Sequence, residues 1–149
     1  MTQESLLAYV HLLAILTMVV FLASEAALCR AEWVNAAVVE RLAKIDMVYG
    51  AAAGAVLVTG LLRVFLGAKG AAWYSHNPLL YLKLGLFLVT GLLSIKPSMV
   101  FARWRRELRS GGTLPEAVEI RRVRRLVMVQ AHILPFIPLA AVFLARGYG

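Results

Sequence analysis

Four side chains that can carry a positive charge stand inside long apolar runs of the sequence, and three of them, His11, Arg63 and Lys83, lie on the same side of the chain's predicted bundle. Each of these three occupies a different run, and these runs are Leu6–Leu28, Met47–Leu66 and Pro78–Ile95. A helix rises about 1.5 Å per residue, so the three side chains fall at similar depths, about 5–9 Å from the corresponding ends of their runs. Cations grouped in a medium of low dielectric constant repel one another. The sequence therefore predicts that an anion or a metal complex binds among them.

A b-type haem has this chemistry, because an imidazole can serve as an axial ligand of its iron and cations can pair with its propionates. We therefore predict His11 as the metal ligand, and Arg63 and Lys83 as further cofactor-binding residues. Lys83 is also the predicted catalytic residue, since its charge can orient an anionic substrate. Two other interpretations stay open. Arg63 and Lys83 are close enough to the interface to extend their charges to water, and a single membrane histidine can be a hydrogen-bonded contact between helices.

A second polar group lies nearer the opposite ends of the runs and comprises Glu25, Tyr49, Gln130 and His132. Glu25 is about one turn from the end of its run, and His132 is about two turns into the fourth run. The sequence predicts that these two side chains form a carboxylate–imidazole pair, which can hold a proton, a metal ion or only each other. Two interpretations of this pair stay open, namely a purely structural contact and part of a proton route.

Four apolar runs account for most of the chain, the fourth being Leu126–Ala145. About 20 helical residues cross the ~30 Å hydrocarbon core of a bilayer. Apolar residues make up 61% of the 149, and the mean hydropathy is +0.77, whereas soluble domains are about 45–50% apolar. The composition excludes a soluble domain. It predicts an all-α polytopic membrane protein, a single domain over residues 1–149 with a bundle of four transmembrane helices.

The net charge of +8 is unevenly distributed between the two sides of the predicted bundle. Twelve Lys and Arg residues lie in the connectors between runs one and two and between runs three and four, against four elsewhere. Basic residues are enriched in cytoplasmic loops, so both termini and the Gly67–Asn77 connector are predicted to be periplasmic in a bacterial inner membrane. The basic side then faces anionic lipid headgroups. Nucleic acid is not an expected partner, since no aromatic platform interleaves the arginines.

The sequence also predicts helical extensions on the cytoplasmic side. The third helix is expected to continue past Pro97 towards Arg109. The fourth is expected to begin near Pro115, in a capping box at Thr113–Glu116. The segment Ala31–Lys44 places its apolar residues close to one face, which predicts a helical extension or a surface helix.

Aromatic and glycine residues predict how the helices meet their surroundings. Trp73 and Tyr74 are expected in the outer interfacial belt, and Trp33 and Trp104 in the inner one. The Gly-x-x-x-Gly motif at Gly50–Gly54 allows close backbone approach in the second helix.

Three segments carry a resemblance to a known family, namely Leu7–Ile15 around His11, Leu80–Leu88 around Lys83, and the basic run Arg121–Arg125 leading to a late proline. In them the chain resembles a bacterial four-helix inner-membrane family that is distantly similar to the HemJ-type protoporphyrinogen oxidases. In the HemJ type, a histidine near the start of helix one and a lysine early in helix three are the functional residues, and the family binds b-type haem. The resemblance implies these roles for His11 and Lys83.

The expected function is that of a b-type haem-binding membrane redox protein, with oxidase activity towards porphyrinogen or quinol-like substrates. The alternative is a metal- or proton-translocating or accessory subunit of a larger membrane complex without catalysis. The expected partners are the lipid bilayer and a small hydrophobic or porphyrin-like substrate, with the chain forming a homo-oligomer or joining a complex.

Overall fold

The computed structural model describes residues 2–67, 72 and 75–148, and every regular element within these ranges is a helix. The helices are α1 (Thr2–Leu28), α2 (Ala36–Leu66), α3 (Pro78–Gly111), α4 (Ala117–Ile133) and α5 (Phe136–Ala145). The predicted belt residues Trp73 and Tyr74 lie outside the described residues.

Four helical stretches are long and apolar enough to cross a membrane, which confirms the predicted all-α, four-helix class. They are Gln3–Leu28, Ala36–Leu66, Pro78–Gly111 and Ala117–Ala145. The last combines α4 and α5, which are separated by a turn at Leu134 and Pro135. Pro135 has no N–H to donate to the preceding turn, so the helical hydrogen-bond ladder is interrupted there.

The helices continue beyond the apolar runs at the basic end. α2 already begins at Ala36, where the side chain of Asn35 accepts a hydrogen bond from the Val38 N–H. α3 passes through Pro97 and ends at Gly111, and the positive φ of 68° at the following Gly112 suits a glycine C-cap. The segment Ala31–Lys44 is therefore no separate surface helix. Its first five residues form a turn, and the rest is the start of α2.

The fourth span begins slightly later than the sequence predicts. α4 starts at Ala117, and Glu116 occupies its N-cap position without a side-chain capping bond. The capping box predicted at Thr113–Glu116 is thus wrong. Glu119, in the first turn of α4, instead accepts hydrogen bonds from Arg103 and Trp104 on α3.

Trp104 belongs to the core at the basic end and does not lie in the inner interfacial belt. It is 1% exposed, its ring meets Phe101 edge to face, and its Nε1–H donates to Glu119 at 3.0 Å. Trp33 is half exposed, with the guanidinium of Arg30 4.8 Å from its ring centroid. The bond to Glu119 explains the difference, because an indole N–H that has a partner within the protein does not need the polar groups of the interface.

The glycine motif at Gly50–Gly54 does not mark a close approach between helices. A Cβ added at either glycine would meet no described atom within 4 Å. The close approach occurs instead at Gly60, where an added Cβ would lie 3.3 Å from Cε1 of His11. α1 and α2, which share the most extensive helix contact in the described structure, therefore meet tightly at the level of His11.

Candidate functional site

A cavity of about 580 Å³ lies between the helices at the end opposite the basic extensions, and His11, Arg63 and Lys83 all line it. Its other walls are almost entirely apolar and come from α1, α2, α3, α5 and the end of α4. Cofactor and small-molecule pockets typically measure about 300–1,000 Å³. The structure thus brings the three predicted outer residues together around a space of ligand size.

The imidazole of His11 is held by a residue on the neighbouring helix. His11 is 3% exposed, and its Nδ1 lies 2.7 Å from Oγ1 of Thr59. The Thr59 hydroxyl has one proton, which it donates to the Ala55 carbonyl at 2.6 Å. Thr59 therefore accepts from His11, so that Nδ1 carries the proton and Nε2 keeps its lone pair. A histidine in this state can ligate a metal through Nε2.

Sequence reasoning found His11 but missed Thr59 and Gly60. Thr59 lies four residues before Arg63 on α2, so both side chains stand on one face of that helix. This spacing was the available signal. Gly60 is needed because the His11 ring occupies the space that a side chain would fill.

Arg63 and Lys83 bring positive charge to the cavity. Lys83 is half-buried and Arg63 is exposed, and both lie close enough for their charges to act on His11. Three ion pairs occur among the described residues, and neither Arg63 nor Lys83 belongs to one. Two cations beside an apolar space favour a ligand that combines an apolar body with negatively charged groups.

The cavity opens towards the surface that the helices present to lipid. Several of its lining residues are exposed, among them Leu57, Leu61 and Phe65 on α2 and Leu84 on α3. A ligand that is soluble in the bilayer can therefore reach the cavity from the side.

The second polar group is divided in the structure. Tyr49 and Gln130 are buried, and the Tyr49 hydroxyl donates to Oε1 of Gln130 at 3.2 Å. Glu25 is also buried, at 1% exposure, and its Oε1 has no hydrogen-bond partner among the described residues. His132 is exposed, and its Nδ1 lies 2.6 Å from the carbonyl of Met128 on its own helix. The structure thus keeps His132 apart from Glu25.

Asp46 is a polar residue at this level that sequence reasoning missed. It is half-buried and accepts a hydrogen bond of 2.7 Å from the Ser98 hydroxyl on α3. Its position directly before Met47, at the start of the second apolar run, was the available signal. His76, in contrast, is exposed ahead of α3, and its Nδ1 lies 2.8 Å from the Ala72 carbonyl. Over the described residues, no group of three or more His, Cys, Asp and Glu side chains is placed to hold a bare metal ion.

No curated protein and no solved structure matches this chain. The model of a family described as "Predicted membrane protein (DUF2214)" matches residues 3–149, which is nearly the whole sequence. The match covers all four membrane-spanning stretches, including those that carry His11, Arg63 and Lys83. The chain therefore belongs to the DUF2214 family of predicted membrane proteins.

Proposed function

We propose that this protein binds a b-type haem in the cavity and acts as a membrane redox protein. The observation that carries the proposal is His11, whose side chain lines the cavity, whose Nδ1–H is committed to Thr59, and whose Nε2 has no hydrogen-bond partner among the described residues. Histidines that ligate metals usually donate their other ring N–H to a fixed acceptor, as His11 does here. A bound haem supplies one-electron chemistry.

The residues of the cavity fit such a group. The apolar walls would suit a macrocycle, and His11 would hold its iron. Lys83 and Arg63 would hold its carboxylate groups, which explains why these cations need no carboxylate partner in the described chain. His11 is the residue assigned to the metal, and the two cations are assigned to the cofactor's negative edge.

The lateral opening supports a lipid-soluble substrate. Together with the resemblance to the HemJ-type oxidases, it supports an oxidase that acts on porphyrinogen or quinol-like molecules. Lys83 would orient an anionic group of the substrate, since its side chain and that of His11 line the same cavity. Its half-burial strengthens such an interaction relative to one in bulk water.

The visible spectrum of the purified protein tests the proposal. We expect protein produced with an ample haem supply to show a Soret band, and His11→Ala to remove or strongly shift that band while the protein stays folded in detergent. His132→Ala and His76→Ala are matched controls, because both side chains are exposed and contact only groups close to them in the sequence. They should leave the band unchanged.

A Soret band that His11→Ala leaves untouched would refute the assignment of the ligand. Folded wild-type protein that stays colourless with haem in excess would refute haem binding altogether. The second candidate would then lead, an ion-translocating or accessory subunit without catalysis. Glu25 is the observation that favours it, since a buried carboxyl group without a hydrogen-bond partner is costly and is often kept for a task.

A further inference from the structure

A second space, about 210 Å³ in volume, lies between α2 and α3 on the basic side of the cavity. Four hydroxyl-bearing residues, Tyr49, Thr90, Ser94 and Ser98, line part of it, and most of the remaining wall is apolar. Three glycines complete the wall, namely Gly50, Gly54 and Gly91. A Cβ added at any of the three would meet no described atom within 4 Å, so the helices do not close this space by packing. We call it the α2–α3 cleft.

All four hydroxyl groups of the α2–α3 cleft already donate their protons elsewhere. The acceptors are the Leu86 carbonyl for Thr90 at 2.9 Å, the Gly91 carbonyl for Ser94 at 2.6 Å, Asp46 Oδ1 for Ser98 at 2.7 Å, and Gln130 Oε1 for Tyr49 at 3.2 Å. Each hydroxyl oxygen is left with an acceptor lone pair. The cleft therefore suits water, protonated water and other cations, and it offers anions no donor from these groups.

Asp46 does not line the α2–α3 cleft itself but accepts a hydrogen bond from Ser98, the lining residue of α3 nearest to the charged extensions. It is half-buried against Ser98, and Lys44 precedes it by two residues on an exposed turn of α2. Its carboxylate thus lies where the apolar run gives way to water. A negative charge beside a narrow space with low-dielectric walls raises the local concentration of cations.

Three apolar side chains separate the α2–α3 cleft from the cavity of His11. Met18, Leu57 and Phe87 line both spaces. Met18 has the most adaptable side chain of the three, because it is unbranched and has several rotatable bonds. Its displacement would join the two spaces.

We propose that the α2–α3 cleft is a hydrated, cation-selective inlet that passes protons from the Asp46 end of the bundle towards the His11 cavity. Water fills the cleft, with a volume of about 30 Å³ per molecule, and protons move from one water molecule to the next along the hydroxyl oxygens. The use of these protons by a redox ligand rests on the proposed function. The inlet itself does not.

Cysteine accessibility in proteoliposomes tests the hydration of the cleft. We expect Ser94→Cys and Gly54→Cys to react with a small water-soluble methanethiosulfonate about tenfold faster, or more, than Leu92→Cys and Val58→Cys, because only a hydrated thiol ionises readily. The two controls are exposed on the outer faces of the same helices. The native Cys29 is 0% exposed and adds no background. Equally slow reaction at all four positions would mean that lipid or a second copy of the chain fills the cleft, and would overturn the proposal.

Charged reagents test the selectivity. At Ser94→Cys, the trimethylammonium reagent should react about tenfold faster than the sulfonate reagent after correction for their rates with a free thiol. Adding Asp46→Asn should abolish that preference. Adding Glu40→Gln should preserve it, because Glu40 lies on the same helix but pairs with Arg109 at the surface. A preference that survives Asp46→Asn would contradict the assigned role of Asp46.

Removing the partition tests the proton path. We expect Met18→Ala to accelerate the decay of a pH gradient across proteoliposomes, while Met99→Ala, at an exposed methionine that lines neither space, leaves the decay unchanged. Sodium uptake should stay at the wild-type level. Faster sodium uptake in Met18→Ala, or no change in proton decay, would overturn the assignment to protons. These variants leave His11, Arg63 and Lys83 in place and need no haem, so their failure would not touch the proposed haem site.

Discussion

At the scale of single residues, the chemistry available to His11 is set by a hydroxyl on another helix. Thr59 donates to a backbone carbonyl of its own helix and so has only lone pairs to offer the imidazole. This arrangement selects one tautomer and fixes the plane of the ring. A histidine that rotated freely would bind any metal more weakly, because fixing its side chain in one rotamer on binding costs free energy.

Replacing Thr59 should therefore weaken haem binding without removing the ligand. Valine has the shape of threonine but cannot accept a hydrogen bond, so Thr59→Val should lower haem affinity about 10- to 100-fold, as loss of an outer-shell partner commonly does. Thr59→Ser keeps the acceptor and should stay near wild type. Titration of the haem-free protein, followed at the Soret band, measures both. Equal affinities for Thr59→Val and Thr59→Ser would show that the bond to His11 does not position the ligand.

Lys83 allows chemistry to be separated from packing. Methionine keeps an apolar stem and removes the charge, so Lys83→Met would leave a bound carboxylate without its cation. Hydrogen bonds to charged groups contribute about 1.5–3 kcal/mol, so haem affinity should fall about tenfold to a hundredfold. The thermal stability of the haem-free protein should change little, because Lys83 has no ion-pair partner in the described chain. Equal losses in affinity and stability, or a loss in neither, would mean that Lys83 has a structural role.

At the scale of elements, the hydropathy of the sequence predicts how many helices cross the membrane but not which faces meet. The rise per residue gives the depth of each polar side chain, and it predicts that His11, Arg63 and Lys83 lie at one level of the bundle. In the structure, all three line one cavity. Depth alone did not predict the surroundings of His132, which is exposed and bonded to its own helix, whereas Glu25 is buried. A helix that is apolar on every side has no amphipathic pattern that identifies its inner face. The hydrogen bond between His11 and Thr59 could therefore not be predicted, because its prediction requires knowing which faces of α1 and α2 meet.

Two glycines of α2 make the contact between α1 and α2 testable. Gly60→Ala would place a Cβ 3.3 Å from Cε1 of His11, closer than nearly all such contacts, so the ring must shift by a few tenths of an ångström. We expect a lower haem affinity and a displaced Soret band. Gly54→Ala meets no described atom within 4 Å and should bind haem like wild type, with stability equal or higher because alanine favours helix by about 0.8–1.0 kcal/mol over glycine. The same spectrum for both variants would contradict the close approach at Gly60.

At the scale of the whole molecule, the two ends of the bundle differ in packing. The basic end is closed by a core that includes Trp104 and Phe101, and Arg109 reaches Glu40 across α2 and α3 with bonds of 2.7 and 2.9 Å. The other end encloses the cavity. A rigid end beside an open one suits a protein that binds its ligand from within the bilayer, because the open end can adjust while the closed end keeps the helices in register.

The distribution of charge predicts the orientation of the molecule in the membrane, and this prediction has a direct test. The Asn77 side chain, at the start of α3, donates to the carbonyl of Tyr148 at 3.2 Å, so the end of the chain lies beside the connector between α2 and α3. The basic connectors lie at the opposite end. Since basic loops are retained in the cytoplasm, reporters fused after residue 149 or within residues 67–77 should read periplasmic, and a reporter within residues 110–113 should read cytoplasmic. Reversing the excess of Lys and Arg should weaken or invert this pattern. A cytoplasmic signal from the C-terminal fusion, together with a periplasmic one from residues 110–113, would mean that the bundle is inverted. The His11 cavity would then lie in the cytoplasmic leaflet, and the Asp46 end of the α2–α3 cleft would face the periplasm.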